Sequence, residues 1–444
     1  MIKAGLLSLG CKVNSCETEQ IREELVSYGI EIVDFEEYAD VYVINTCSVT
    51  NIADRKSRQM LHKAKKMNPE ALVVATGCYA QIAGEKLADT GDADIVIGNN
   101  HKGNVAEYIA NYFKIIESSD IPDVYVDKIA DEKCFEEINL STYPEKSRAF
   151  VKIEDGCNQF CSYCIIPYAR GRVRSRDEES IISEVKKLSE NGFKEIVLTG
   201  IHLSSYGNMN YEKALNKDNP LLKLINILSE IDGIERIRLG SLEPRIITEE
   251  FAKALAANSK VCPHFHLSLQ SGCDSVLKRM NRHYTAEEFL DKCQILRAAF
   301  DRPAITTDVI VGFPGESEEE FIASKEMLEK ASFSKMHIFK YSRRAGTVAD
   351  RMPNQIIEKV KHERSVILQE LDDKMHYEYI KSFVGETENV LIEEDTDEFF
   401  SGLTGRYINV KINKKSDSKA EINTIRNVKI TGISENNELL ADFC

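Results

Sequence analysis

Short apolar runs alternate with longer helical patterns in the first quarter of the chain: IKAGLLSL, VYVIN, ALVVAT and DIVIG are separated by segments such as SCETEQIREELVSYG and NIADRKSRQMLHKAKKMNP. That alternation predicts a parallel sheet flanked by helices, an amino-terminal β/α domain over residues 1–115. Between 116 and 142 the periodicity fades into acidic, mixed sequence, which reads as a linker. A second series follows in RAFVKIE, EIVLTG, RIRLGS, FHLSLQ, AITTDVIVG and KMHIFKY, with helical stretches such as ESIISEVKKLSENG between them. Six such units within 143–375 predict a partial, open-sided (β/α)6 barrel, whose active site belongs at the carboxyl ends of its strands. A long charged helix, roughly 354–382, leads out of it. Over 376–444 the runs ENVLIEE, FFSGLTGRYINVKI, AEINTIRNVKITGIS and ELLADF, divided by turn signals, predict a small antiparallel β-barrel. The fold class is therefore α/β with an all-β tail.

Composition narrows the function. With 444 residues and 43% hydrophobic content, the chain can build several real cores. No apolar run reaches the roughly eighteen residues of a spanning helix, and the opening MIKAGLLSLGCKVN is too short in apolar residues for a signal peptide, so a cytoplasmic location with no membrane partner is expected. A net charge of −15 excludes a protein that coats nucleic acid by bulk attraction, so any RNA site must be a local basic patch. The twelve cysteines sit in a chain too large to need disulfide staples. Cytosolic thiols stay reduced, so clusters of them call for metal ligation or catalysis.

Two cysteine sets stand out. GCNQFCSYCIIPYARGR places Cys157, Cys161 and Cys164 at C-x3-C-x2-C spacing after the first strand of the second series. Three thiolates on one compact loop suit a [4Fe–4S] cluster with one iron left open, whereas a structural zinc site wants four ligands. A zinc loop with a distant fourth ligand, or three plain thiols, is the competing reading. In radical S-adenosylmethionine (SAM) enzymes the open iron chelates SAM, whose reductive cleavage supplies a 5′-deoxyadenosyl radical. The other set, Cys11, Cys47 and Cys78, follows three separate strands of the first series. Parallel strands share one carboxyl edge, so these thiols are predicted to converge.

The motifs SLGCKVNSCE, VINTCSVTNIADRKSRQ, ATGCYAQ, KIEDGCNQFCSYCIIPYARGRVRSR, RLGSLEP, HFHLSLQSGCDSVLKRMNRHY and TDVIVGFPGE resemble the radical SAM methylthiotransferases over nearly the whole chain. Among these the chain resembles the tRNA N6-threonylcarbamoyladenosine (t6A) methylthiotransferases of MtaB type. The resemblance implies a second [4Fe–4S] cluster on Cys11, Cys47 and Cys78, SAM as both methyl donor and radical source, and methylthiolation of adenine C2 in t6A next to the anticodon. It further implies an electron donor such as flavodoxin or ferredoxin, and a sulfur source. The reading CKVN, where relatives acting on isopentenyladenosine tend to have CQMN and those acting on a ribosomal protein aspartate CPKN, implies t6A. A non-catalytic iron–sulfur RNA-binding protein is the alternative from another class.

Tyr163 matches an aromatic position that packs near the SAM adenine in the superfamily. Glu243 in SLEP and Gln270 in SLQSG lie at strand ends and are read as SAM-contacting, with helix capping or turn satisfaction as the competing role. Basic runs follow each cysteine set: Arg55, Lys56, Arg58, Lys63, Lys65 and Lys66 in one, Arg170, Arg172, Arg174 and Arg176 in the other. In so acidic a chain these are read as phosphate contacts. The tail resembles the RNA-binding TRAM domain, with Arg406, Lys411, Lys414 and Lys415 as its candidate RNA face. The remaining cysteines and the nine histidines are read as ordinary, with Cys16 noted for its nearness to Cys11.

Overall fold

A computed structural model describes residues 1–116, 123–137, 140, 147–207, 219–414 and 420–444; Lys415 falls outside them. The amino-terminal sheet contains β1 (Lys3–Ser8), β2 (Glu31–Val33), β3 (Val41–Thr46), β4 (Leu72–Gly77), β5 (Ile95–Ile97) and β6 (Val124–Tyr125) in the order β2-β1-β3-β4-β5-β6. Every pairing is parallel. The central strands β3 and β4 are buried at every position, as expected of a sheet covered on both faces. Helices α1 (Lys12–Ser27), α2 (Asn51–Met67), α3 (Cys78–Asp89) and α4 (Val105–Tyr112) supply that cover. Two strands lie beyond what the pattern revealed: β2 has three residues and β6 two, too few to establish a period. Because β6 pairs with β5, part of the stretch read as a linker belongs to this sheet.

The second series forms β7 (Arg148–Lys152), a short antiparallel ladder of β8 (Glu154–Asp155) with β9 (Arg174–Ser175), then β10 (Glu195–Thr199), β11 (Arg236–Leu239), β12 (His264–His266), β13 (Ala304–Val311) and β14 (Lys335–Lys340). Its strands run β7-β10-β11 and β12-β13-β14, all parallel within each group. Single parallel bridges, Ile237 to Val261 and Leu242 to Leu267, join the two groups into one arc. Among the described residues β7 and β14 do not pair, so the barrel stays open on one side. One large apolar core, including Val151, Ile196, Leu198, Phe265, Leu267 and Val309, fills the space between strands and outer helices.

Helix Glu358–Lys381 lies along β14, where buried Asp372 accepts the Met336 amide at 2.6 Å, and runs across residue 375 into the tail. The tail is a closed barrel of β15 (Thr387–Asp395), β16 (Phe399–Thr404), β17 (Asn409–Asn413), β18 (Ile425–Ile433) and β19 (Leu439–Phe443), ordered β15-β16-β17-β19-β18. Four seams are antiparallel and one, β17 with β19, is parallel. A closed ring with an odd number of strands cannot alternate direction all the way round, so one parallel seam is unavoidable.

Candidate active site

The site grows from the carboxyl edge of the amino-terminal sheet. Cys11 is the residue before α1, Cys47 follows β3, and Cys78 opens α3 directly after β4. Strands β1, β3 and β4 are consecutive neighbours in the sheet, so the three thiols share one edge. Backbone crowding there demands glycine. Gly10 has φ +99°, and a Cβ on it would stand 2.5 Å from Cys47 Sγ; Gly77 has φ +95°, and a Cβ would stand 2.4 Å from the Thr46 carbonyl. Asn14 ties the strand ends together, its amide donating to the Leu9 and Thr46 carbonyls at 2.7 and 3.0 Å. Burial pushes the Cys47 thiol up to about 11, and neighbouring charge on Cys78 and Cys11 adds to the effect. Cys11 is also raised, first by desolvation, although its surface opens onto a cavity.

The second trio lies on the loop after β8. The Cys157 amide donates to the Gly171 carbonyl at 3.1 Å, and Cys164 N–H to the Cys161 carbonyl at 2.9 Å. A segment far along the chain clamps this loop. Ser162 bonds the Met280 and Arg279 carbonyls, Asn281 donates to the Gln159 and Phe160 carbonyls, and Arg282 donates to Cys161 Sγ at 3.3 Å. Burial, then the charge of Cys161, pushes Cys164 up to about 12, and Cys78 contributes as well. The two trios are therefore within electrostatic reach of each other.

Two cavities meet between them. The smaller, about 300 Å³, is lined by Cys157, Cys161 and Cys164 together with Tyr163, Glu243 and Gln270. The larger, about 1070 Å³, is lined by Cys11, Lys12, Arg148, His264, His266 and Tyr407 among others. Val49, Ile166, Ile201, Ser241, Ser268, Asp308 and Phe339 belong to both walls, so the cavities adjoin. Cys47 and Cys78 line neither. Gln270 holds φ +74°, a left-handed backbone unusual for a side chain of its size, between the Asp308 carbonyl and the Ile310 amide. Glu243 faces the cavity while its carboxylate also accepts from the Arg245 amide and guanidinium, so it caps the following turn as well.

Comparison with known proteins decides the family. Residues 151–328 match the Radical SAM superfamily, and residues 3–98 match Uncharacterized protein family UPF0004. A threonylcarbamoyladenosine tRNA methylthiotransferase MtaB of Aquifex aeolicus is 42% identical over 92% of this chain and 96% of its own. The chain belongs to the radical SAM methylthiotransferase family. The MtaB of Bacillus subtilis is 40% identical over 95% of this chain and 93% of its own. A tRNA-2-methylthio-N(6)-dimethylallyladenosine synthase of a Thermoanaerobacter species is 37% identical over 95% and 88%. Among solved structures, the radical SAM methyltransferase TsrM of Kitasatospora setae, with cobalamin and a [4Fe–4S] cluster bound, shares the fold at TM-score 0.57 and 15% identity, over 78% of this chain and 76% of that one.

Several arginines of this methylthiotransferase stand elsewhere than their sequence context implied. Arg170 is fully buried and donates to Glu17, Asp155 and Asn14, and to Cys78 Sγ at 3.3 Å. Arg174 is buried against Asp155 and the Arg170 carbonyl. Neither side chain lies at the surface, so neither is placed as a surface phosphate contact. Arg176 is likewise spent on Glu184. Arg172 is exposed, 4.4 Å from the Phe160 ring centroid, and Arg55 is exposed on α2. Arg58, half-buried, donates to the Tyr79 hydroxyl at 2.8 Å. In the tail, Arg406 pairs with Glu388 and turns toward the larger cavity, while Lys411 and Lys414 pair with Glu438 and Asp395. Cys16 is a core residue, its thiol donating to the Phe150 carbonyl at 3.2 Å.

Sequence reasoning passed over Asn14, Glu17, Lys152, Arg282 and Tyr407, and read His264 and His266 as ordinary. The two histidines sit two apart on β12, so they face one side of the strand; that spacing was a usable signal. Nothing local marks the others. Lys102 and Lys152 join Arg170 around Glu17, and Lys152, Arg170 and Arg174 surround Asp155. Burial alone would push Glu17 up, but these cations hold it well below the usual carboxylate range. Likewise burial would raise Tyr407, yet Lys12, Arg148 and Arg238 around its ring hold the hydroxyl below its ordinary value.

Proposed function

We propose that this methylthiotransferase acts on t6A beside the anticodon of tRNA, giving 2-methylthio-t6A, with one [4Fe–4S] cluster on Cys157, Cys161 and Cys164 and a second on Cys11, Cys47 and Cys78. The observation that carries the reading is the shared wall of two cavities, one lined by Cys157, Cys161 and Cys164 and the other by Cys11 of the amino-terminal trio. Chemistry of the donors fits. Among the described residues no three His, Cys, Asp or Glu side chains stand at the spacing of ligands to a single ion. A four-iron cluster puts each cysteine on its own iron and so spreads its thiolates wider, and three cysteines leave one iron without a protein ligand. When bound, such clusters with SAM supply the radical and the methylated sulfur.

The chain's own residues would orient and shield. Tyr163, Glu243 and Gln270 surround the space beside the core trio and are the proposed SAM contacts. Arg282 holds Cys161, and Arg170 holds Cys78, each by a guanidinium donor to sulfur. Apolar Val49, Ile166 and Ile201 line the junction and limit water there. Arg170, the buried cation that touches the amino-terminal trio, works against the burial that raises Cys11 and Cys47. A tRNA partner is supported by the names of the relatives, and exposed Arg55 and Arg172 beside the two trios are the proposed backbone contacts. An electron donor of flavodoxin or ferredoxin type and a sulfur source complete the proposed system, which would operate in the cytoplasm; among the described residues no helix is long and apolar enough to cross a membrane.

The test is nucleoside mass spectrometry of tRNA from a deletion strain, where 2-methylthio-t6A should vanish; its persistence at normal level defeats the assignment. Loss of 2-methylthio-isopentenyladenosine instead would favour the substrate named for the Thermoanaerobacter relative. With reconstituted protein, Cys157→Ala, Cys161→Ala or Cys164→Ala should abolish 5′-deoxyadenosine release. Cys11→Ala, Cys47→Ala or Cys78→Ala should leave that release and stop sulfur insertion.

A further inference from the structure

The larger cavity contains cationic donors that the protein itself does not satisfy. All three parts of the chain meet there: Lys12 from the start of α1, Arg148 and His264 from the open barrel, and Tyr407 from the tail. Tyr407 holds φ +64°, stacks on His264 at 5.0 Å between centroids, and has Lys12, Arg148 and Arg238 at 5.3, 5.2 and 4.8 Å from its ring centre. Arg238 is committed to Glu195 and to two carbonyls of the tail. Lys335 and Arg406, also in the wall, are paired with Asp372 and Glu388. Two groups remain. Among the described residues no carboxylate pairs with Lys12, and Arg148 gives its Nε to Glu393 at 2.7 Å while its buried Nη1 has no acceptor.

A buried donor without an acceptor is destabilising, the more so when it is charged. Such a site is complete only when an anion enters. The volume, about 1070 Å³, admits a whole nucleoside, and Cys11 lies in the same wall as Lys12. The N6 substituent of t6A ends in a threonine carboxylate, whereas an isopentenyl group is wholly apolar.

We propose that Lys12 and Arg148 receive the carboxylate of the N6 amino-acid substituent, and so make this cavity select an anionic substituent over an apolar one. This rests on the reading that t6A is the substrate. Lys12 and Arg148 come from separate domains, so selection depends on their docking. Tyr407 and His264 act as positioning residues, fixing the wall against which the two cations lie.

The test compares binding of three anticodon stem-loops to the cluster-loaded protein under anaerobic conditions without reductant: one with t6A, one with its carboxylate masked as the amide, one with unmodified adenosine. The expected preference of the wild type for t6A over the amide is about tenfold or more, from charge-assisted hydrogen bonds. Lys12→Gln should bring that ratio near one, and Lys12→Arg should keep most of it. Arg148→Gln, on a different element, serves as the second variant if Lys12→Gln fails to load iron. Indifference of the wild type to masking, an unchanged ratio in both glutamine variants, or equal weakening for all three stem-loops, as a phosphate contact would produce, overturns the proposal. A wild type that forms no 2-methylthio-t6A once reductant, SAM and sulfide are added sinks the substrate reading itself. One that forms it while ignoring the amide sinks only the role of Lys12 and Arg148.

Discussion

Arg170 and Arg172 are two residues apart in a run of four arginines, and their fates differ completely. Arg170 has no exposed surface and ties Glu17, Asp155, Asn14 and Cys78 together, whereas Arg172 is open to solvent. Removing one partner from a buried ionic network leaves the rest uncompensated, so Arg170→Met should cost about 3–5 kcal/mol in a denaturant titration of the apo protein. A loss under about 1 kcal/mol would show that the network is dispensable to the fold. Arg172→Glu should weaken tRNA binding at low salt and matter less as salt rises, because phosphate contacts are salt-dependent. Arg174→Glu should instead reduce folded protein, since a second acid would be buried beside Asp155. Equal, purely binding-level effects of the two reversals would contradict this division. Alternation of charge in the run gave no means of telling buried from exposed, because the loop has no period from which to assign faces.

Helix α1 shows what an element contributes beyond its propensity. Its amino-terminal end carries Cys11 and Lys12 to the larger cavity, and its buried Asn14, Cys16 and Glu17 bind the sheet edge, Phe150 of the barrel and the Arg170 network. Further along, Glu24 accepts from Gln20 at 2.9 Å, and burial raises its carboxyl to about 7. The folded protein therefore keeps a proton that the unfolded chain releases, and stability should fall as pH rises from about 4.5 to 7 on this account. Glu24→Gln should remove that decline: it should match the wild type near pH 4 and exceed it near pH 8 in urea midpoints. Parallel stability curves at both pH values would refute the assignment. The element also marks a limit of pattern reading. Polar residues at helical spacing look like a solvated face, and only contact with the second domain turns Asn14 and Glu17 into interior groups.

At the scale of the molecule, three domains are bound into one chamber by side chains reaching across. Arg236 donates to the Leu403 and Asn389 carbonyls at 3.0 and 2.6 Å, and Arg238 to the Gly405 and Thr404 carbonyls, fixing the tail barrel on the core. On the other side Arg344 holds Asp54 and Ser48 of the amino-terminal domain. Arg236→Ala combined with Arg148→Ala should loosen the tail, raising the rate of proteolytic cutting near the end of helix Glu358–Lys381 severalfold while the far-ultraviolet spectrum stays unchanged; equal cutting rates would argue that the barrel docks by other means. What the sequence by itself determined is the longer strands and helices and the carboxyl-edge position of all six cysteines, because strand period and parallel connectivity are local properties that survive without knowledge of neighbours. It also marked the loop thiols, whose spacing is itself the chemical signal. Only the tertiary structure decided which cations are interior, that Tyr407 from the tail enters the wall beside Lys12, and that two cavities adjoin, because burial and through-space pairing arise between segments hundreds of residues apart, where no local pattern carries information.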